Sequence, residues 1–192
     1  MSEPSSAETT VLVVRRRHGF ETLADMARSL GVVLAVVALV VLITIRTGGQ
    51  EIRVVDIGST LSQAKIGAPF ILVAPEGLGA QWHPTSVYFN PPQVTGVPGV
   101  TLWHIGFVTP EEQYAGLEQT NGPARDAVEA DLIAPQAAGL TSVAELSWQR
   151  WSDADGKRRA ISHTEGLVTT VVDGTAGWPE LEQLAASLRN QT

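Results

Sequence analysis

Two histidines each follow a tryptophan directly: Trp82-His83 in "QWHPTSVYF" and Trp103-His104 in "TLWHIGFVT". Imidazole titrates near neutral pH and is the commonest metal-binding side chain, so these pairs are the first candidates for chemistry. A catalytic zinc needs three protein ligands and a structural zinc four. His83 and His104 supply two, Glu111 or Asp173 would have to complete the set, and no HxH or HExxH spacing joins them. No metal is assigned. A Ser-His-acid set can be composed from Ser86 or Ser162 with His83, His104 or His163, but no G-x-S-x-G elbow presents a nucleophile. No catalytic residue is assigned either. "PEGLGAQW" and "NGPAR" match neither a Walker loop nor a dinucleotide fingerprint, so no cofactor is implied. "DADGK" lacks the twelfth-position acid of a calcium loop and reads as a tight hairpin. What remains is binding, with Trp82, His83, Trp103 and His104 as the candidate ligand-contacting residues. The competing reading makes the tryptophans core and the histidines outward neighbours on the same strands.

The elements that would position these residues follow from hydrophobic period. "VTLWHIGFVT" alternates evenly, placing Trp103, Ile105 and Phe107 on one face and Leu102, His104 and Gly106 on the other. "FILVAPEGLG" and "WHPTSVYF" read as further strands. Thr109 as cap, Pro110 at the first position and Glu111 and Glu112 in the first turn predict a helix through Glu118 or Gln119, covering the Trp103 strand. "PARDAVEADLIAP" is a second helical piece. "AELSWQRWSD", "RRAISHTEG" and "LVTTVVDG" read as three antiparallel strands, the first pair joined by an Asp155-Gly156 turn. "WPELEQLAASLRN" is an amphipathic helix with Leu181, Leu184, Ala185 and Leu188 on one stripe. Both predicted helices carry "LEQ" after an aromatic, Tyr114 or Trp178, which suggests a duplicated strands-then-helix unit. The fold class is α+β: an antiparallel sheet packed by helices.

Upstream, residues 30–45, "LGVVLAVVALVVLITI", form an uncharged run bracketed by Arg28 and Arg46. As a helix the run rises about 24 Å, and snorkelling arginine stems extend it toward the roughly 30 Å of a bilayer core. It lacks the polar stripe of a buried soluble helix and a good small-x-small cleavage site, so it reads as one transmembrane helix rather than a signal peptide. The expected organisation is a cytoplasmic tail and juxtamembrane helix over 1–28, a span over 29–46, a tether over 47–66 and an extracytoplasmic α+β domain over 67–192. Arg15, Arg16, Arg17 and Arg28 before the span outnumber Arg46 and Arg53 near its other end, which points the N-terminus into the cytoplasm. From Thr47 onward acids exceed bases by 16 − 8 = 8, which argues against nucleic acid as a partner. With no cysteine, disulfides, thiolate metal sites and cysteine nucleophiles are excluded together.

The order of "ARSL" running into a span, "PEGLGAQWHPTSV", "WHIGFVTPEEQYAGLEQ" and "TAGWPELEQLAASL" resembles an actinobacterial family of membrane-anchored proteins catalogued as a domain of unknown function. The resemblance covers nearly the whole chain from about Ala24. It implies a single-pass protein with an extracytoplasmic α+β domain, and it carries over no catalytic residue. In outline, the repeated plan is also similar to the extrinsic photosystem subunit PsbP. Together these favour a non-catalytic protein at the cell envelope that binds an envelope partner or ligand. The alternatives are an enzyme acting on envelope material, or a lipid or small-molecule carrier with a pocket between sheet and helices. The membrane, and an envelope protein or lipid, are the expected partners.

Overall fold

The computed structural model describes residues 19–46, with side chains over 26–42, and residues 54–192. The expected cytoplasmic tail, with Arg15, Arg16 and Arg17, and the start of the expected tether lie outside the described residues. The chain divides into two units, 1–51 and 52–192, and each is described by itself.

The first unit contains α1, a single helix of 28 residues, Gly19–Arg46, which merges the juxtamembrane segment and the apolar run. Its large apolar side chains between 26 and 42 are 49–67% exposed around the whole circumference. Those described side chains cover about 25 Å of helix at 1.5 Å per residue. Among the described residues, no helix is long and apolar enough to cross a membrane. The side chains of Ile43, Thr44, Ile45 and Arg46, which the expected span includes, lie outside them.

The second unit runs α2 (Ile57–Gly67), β1 (Leu72–Pro75), β2 (His83–Asn90), α3 (Pro92–Thr95), β3 (Leu102–Val108), β4 (Tyr114–Thr120), α4 (Ala124–Glu129), β5 (Gln136–Val143), β6 (Leu146–Ser152), β7 (Arg159–Glu165), β8 (Val168–Gly174), α5 (Trp178–Ala186) and β9 (Leu188–Gln191). Seven strands form one antiparallel sheet in the order β2-β3-β4-β8-β7-β6-β5, and β1 and β9 pair as a separate ribbon. The α+β class with an antiparallel sheet is therefore correct. Asp155-Gly156 turns the β6–β7 hairpin as its sequence dictates, with Gly156 at φ 70°.

Four expectations fail, one of them the helix expected through Asn190, which ends at Ala186 so that Leu188 lies on β9 and pairs with Pro75. The stretch from Thr109 is not a helix but the β3–β4 hairpin. The Thr109 hydroxyl accepts from Gln113 N at 3.2 Å, so its cap holds one turn only. Glu112 then adopts φ 58° and reverses the chain. Beyond it, Ala115, Leu117 and Gln119 alternate inward on a strand paired on both sides. The duplicated unit falls with that helix, because its first "LEQ" lies on β4 and its second on α5. The stretch expected as a tether also holds α2, whose Asp56 carboxylate accepts from Gly58 N and Ser59 N. Ile57, Leu61 and Ala64, spaced at i, i+4 and i+7, turn that helix onto the core.

The main core lies between one sheet face and α2, α5 and the ribbon. Trp103, Ile105, Leu117, Ile161 and Val172 meet Leu181 and Leu184 of α5, all at 0% exposure. The opposite face carries α4, whose Ala127 and Val128 pack with Leu132 on Ala160 and Val171. Helices thus occupy both faces. The ribbon presents a backbone edge to the sheet, and two side chains satisfy it. Trp103 Nε1 donates to Val73 O at 3.0 Å; Gln119 Oε1 accepts from Val73 N at 2.9 Å; Gln119 Nε2 donates to Ile71 O at 3.1 Å. Trp103 and Gln119 face each other across β3 and β4. Replacing Gln119 by leucine strands one buried N–H and one C=O. It is expected to cost about 2–4 kcal/mol in urea unfolding of the chain, while Thr170→Val, one strand further on, changes stability by less.

Candidate functional site

The register of the sheet aligns one transverse row of side chains across all seven strands. On the face opposite the main core it reads Tyr88, His104, Glu118, Val171, Ser162, Gln149, Leu140. The next row on that face reads Ser86, Gly106, Gly116, Asp173, Ala160, Trp151, Ala137. Helix α4 sits over the middle of both rows, at Val171 and Ala160. Two different environments result: a titratable cluster over β2, β3, β4 and β8, and an open cleft over β5, β6 and β7.

In the cluster, His104 Nε2 lies 3.3 Å from Ser86 Oγ and 3.2 Å from Tyr114 OH. The Tyr88 ring stacks on the imidazole, centroids 4.4 Å apart and planes 10° apart. Gly106 and Gly116 oppose each other and leave room for the Tyr114 hydroxyl. A Cβ at either position would approach that oxygen to 3.0 Å or less. Asp173 is buried, and its carboxylate receives Arg158 Nη2 at 3.1 Å; the same nitrogen reaches Asp131 at 3.4 Å. Glu118 is buried opposite His104 and Val171, and among the described residues no side chain donates a hydrogen bond to its carboxyl.

Burial controls the proton affinities. It pushes the Glu118 carboxyl up to about 8, with Asp131 and Asp173 adding to the effect. It likewise raises Asp173 to about 7, Asp131 reinforcing it, against the opposing pull of Arg158. One guanidinium shared between two carboxylates does not offset the desolvation of the deeper one. Burial lowers the His104 pKa, keeping the ring neutral, and raises those of Tyr88 and Tyr114. The result is a patch in which Glu118 and His104 are neutral near pH 7, beside the Arg158–Asp173 pair. Ser86 and His104 have the contact of a nucleophile and its base, but His104 Nδ1 is buried without a partner. Among the described residues, no acid hydrogen-bonds that nitrogen as the orienting member of a catalytic set.

The cleft has a volume of about 640 Å³. Trp151, Gln149 and Ser162 form its floor, Val128 and Arg125 of α4 one wall, and Leu140 of β5 the other. Trp151 Nε1 donates to Ser162 Oγ at 2.8 Å, fixing the indole.

Of the residues the sequence singles out for binding, Trp82 and Trp103 are core. Trp82 is 6% exposed and meets Phe107 edge-on at 6.1 Å; Trp103 is fully buried. Neither leaves a surface for a ligand. His83 pairs with Val108 and His104 with Tyr88. Four residues of strand, about 13 Å, separate the two histidines along β3. Among the described residues, no group of three potential ligands gathers that could hold a metal ion. The three cations at the β6–β7 turn are engaged internally, Lys157 by Asp155, Arg158 by Asp173 and Arg159 over the Trp178 ring.

A family model described as protein of unknown function, DUF4245, matches residues 18–188. The chain belongs to the DUF4245 family. No curated protein matches it.

The sequence singles out His104 in this DUF4245 chain, and Asp173 as a possible metal ligand, but misses Tyr88, Tyr114 and Glu118, which join His104 from the two strands beside it. Gly106 and Gly116, placed symmetrically about the Thr109 turn, are the signal that could have located them. The raised carboxyls fix the pH behaviour. Glu118 and Asp173 titrate from 4.5 and 3.8 when unperturbed and at about 8 and about 7 when folded, so folding takes up protons between those limits. Stability is therefore full at the acid end of the window and lost as pH rises through the folded values. Denaturant unfolding from about pH 5 to about pH 9 is expected to show a fall on the order of 1–3 kcal/mol, with a shallower slope in Glu118→Gln.

Proposed function

We propose that this DUF4245 chain is a single-pass membrane protein whose extracytoplasmic domain binds an envelope ligand or partner without acting on it chemically. The observation that carries the binding role is the cleft between α4 and the β5–β7 face: a concave, partly apolar surface with a few fixed polar groups, the ordinary form of a small-ligand site. Anchoring is supported by α1. Residues 29–46 amount to about 27 Å of helix, close to a bilayer core, and the exposed valines and leucines of α1 leave no side that suits water. The excess of arginine before the run supports an N-terminus in the cytoplasm.

A second reading, an enzyme, draws on the Ser86–His104 contact and the raised Glu118. The buried, unpartnered Nδ1 and the ring of Tyr88 stacked over the imidazole weigh against it.

A photo-crosslinking residue at Leu140, which lines the cleft and is 69% exposed, is expected to capture an envelope component in intact cells. The same residue at Val94, 63% exposed on α3, is expected to capture none. Equal capture at both positions, or none at Leu140, removes the cleft as the binding site. Protease added to spheroplasts is expected to digest the domain, and a protected domain overturns the topology.

A further inference from the structure

We infer that the cleft between α4 and the β5–β7 face is a saccharide site, with Trp151 as the stacking platform and Gln149 and Ser162 as the hydroxyl-reading pair. The inference rests on the binding role proposed for this cleft and names the chemistry of its ligand.

A sugar ring presents an apolar face of C–H groups and a rim of hydroxyls, each both donor and acceptor. An aromatic plane beside paired donors and acceptors complements both. Trp151 has that position. It packs against the Ala127, Val128 and Leu132 cluster, and its Nε1 is engaged by Ser162 Oγ, so the indole is held in place and still lines the cleft. A rigid aromatic loses little rotamer freedom when a ligand lands on it. Across the β6–β7 ladder Gln149 and Ser162 are direct partners. Gln149 Nε2 donates to Gly139 O at 2.7 Å and Arg150 O at 2.9 Å, which orients the amide and leaves Oε1 free to accept. Ser162 Oγ accepts from Trp151, which leaves its own proton free to donate. An acceptor and a donor side by side match two neighbouring hydroxyls of a ring, each giving to one group and taking from the other. At the rim, Arg125 and Glu129 form an exposed ion pair at 2.6 Å, a further donor and acceptor within reach of a second sugar unit.

An acyl chain fits less well. Eight of the twelve lining residues carry hydrogen-bonding side chains: Arg125, Glu129, Ser147, Gln149, Trp151, Ser162, His163 and Thr164. Burying methylenes against Gln149 Oε1 and the Ser162 hydroxyl would strip those groups of water with nothing in return.

The test uses the full chain in detergent micelles with four trisaccharide probes: maltotriose, mannotriose, galactotriose and triacetylchitotriose. Palmitate serves as the acyl probe. Saturation-transfer NMR and calorimetry are expected to show binding of at least one trisaccharide. Trp151→Ala abolishes it, and Gln149→Ala and Ser162→Ala each weaken it about tenfold. Gln149→Ala leaves the Trp151 contacts in place, so it decides the matter if Trp151→Ala fails to fold; Ser162→Ala also removes the acceptor of Trp151 Nε1 and is read beside it. Binding of a trisaccharide that is indifferent to Gln149→Ala and Ser162→Ala overturns the site. Palmitate bound through Trp151, with no trisaccharide bound, overturns the saccharide assignment and leaves the ligand-binding role standing. If no probe binds and the Leu140 cross-linker captures nothing, both fall.

Discussion

One carboxamide decides whether the domain is a single layered body. Gln119 offers a donor and an acceptor in the same geometry as a peptide group, and with it the sheet hydrogen-bonds the ribbon as though a further strand were present. Trp103 adds the third bond from the neighbouring strand while filling the core with its ring. The ribbon's inward edge would otherwise face apolar side chains, where an unpaired backbone group costs more than a made bond returns. With that edge satisfied, α2 and α5 can close around the ribbon and bury Leu72, Leu181 and Leu184. The polar residue at the junction of sheet and ribbon thus helps the apolar ones to pack.

The other sheet face is organised on the opposite principle. The buried carboxyls, the imidazole and the phenols cost desolvation free energy that the apolar layer must offset. Only a substantial core on the first face makes such a second face tolerable in a domain with no disulfide. Along each transverse row the polar groups gather at one end, the α4 contacts occupy the middle, and the cleft opens at the other end. Alternation along the strands separates core from site, and position across the strands separates one polar environment from the next.

Legibility in the sequence followed the range of the interactions. Strand β3, the β6–β7 hairpin, β8 and α5 were readable because a period or a turn dipeptide within a few residues fixes them. Strand β4 was misread because Thr109, Pro110 and two glutamates satisfy every local rule for a helix start, while pairing with β3 and β8, which no local rule sees, decided the outcome. Strand β5 has little apolar pattern in "QAAGLTSV", and "LRN" reads locally as the end of the α5 helix; both are strands through their partners, β6 and β1. The site was legible in His104, and in Ser86 and Asp173 only as interchangeable candidates. Its companions converge through register, and register is a property of the assembled sheet.

The pairing of Leu72 with Gln191 closes a loop of 191 − 72 = 119 residues. Strand β1 is therefore made early in synthesis and must wait for almost the entire domain before its partner exists. Until then the backbone groups that Gln119 and β9 will occupy are open to solvent or to any other strand. The same topology makes the ribbon a late, slow step of folding, because the long loop must close before the pairing returns any free energy.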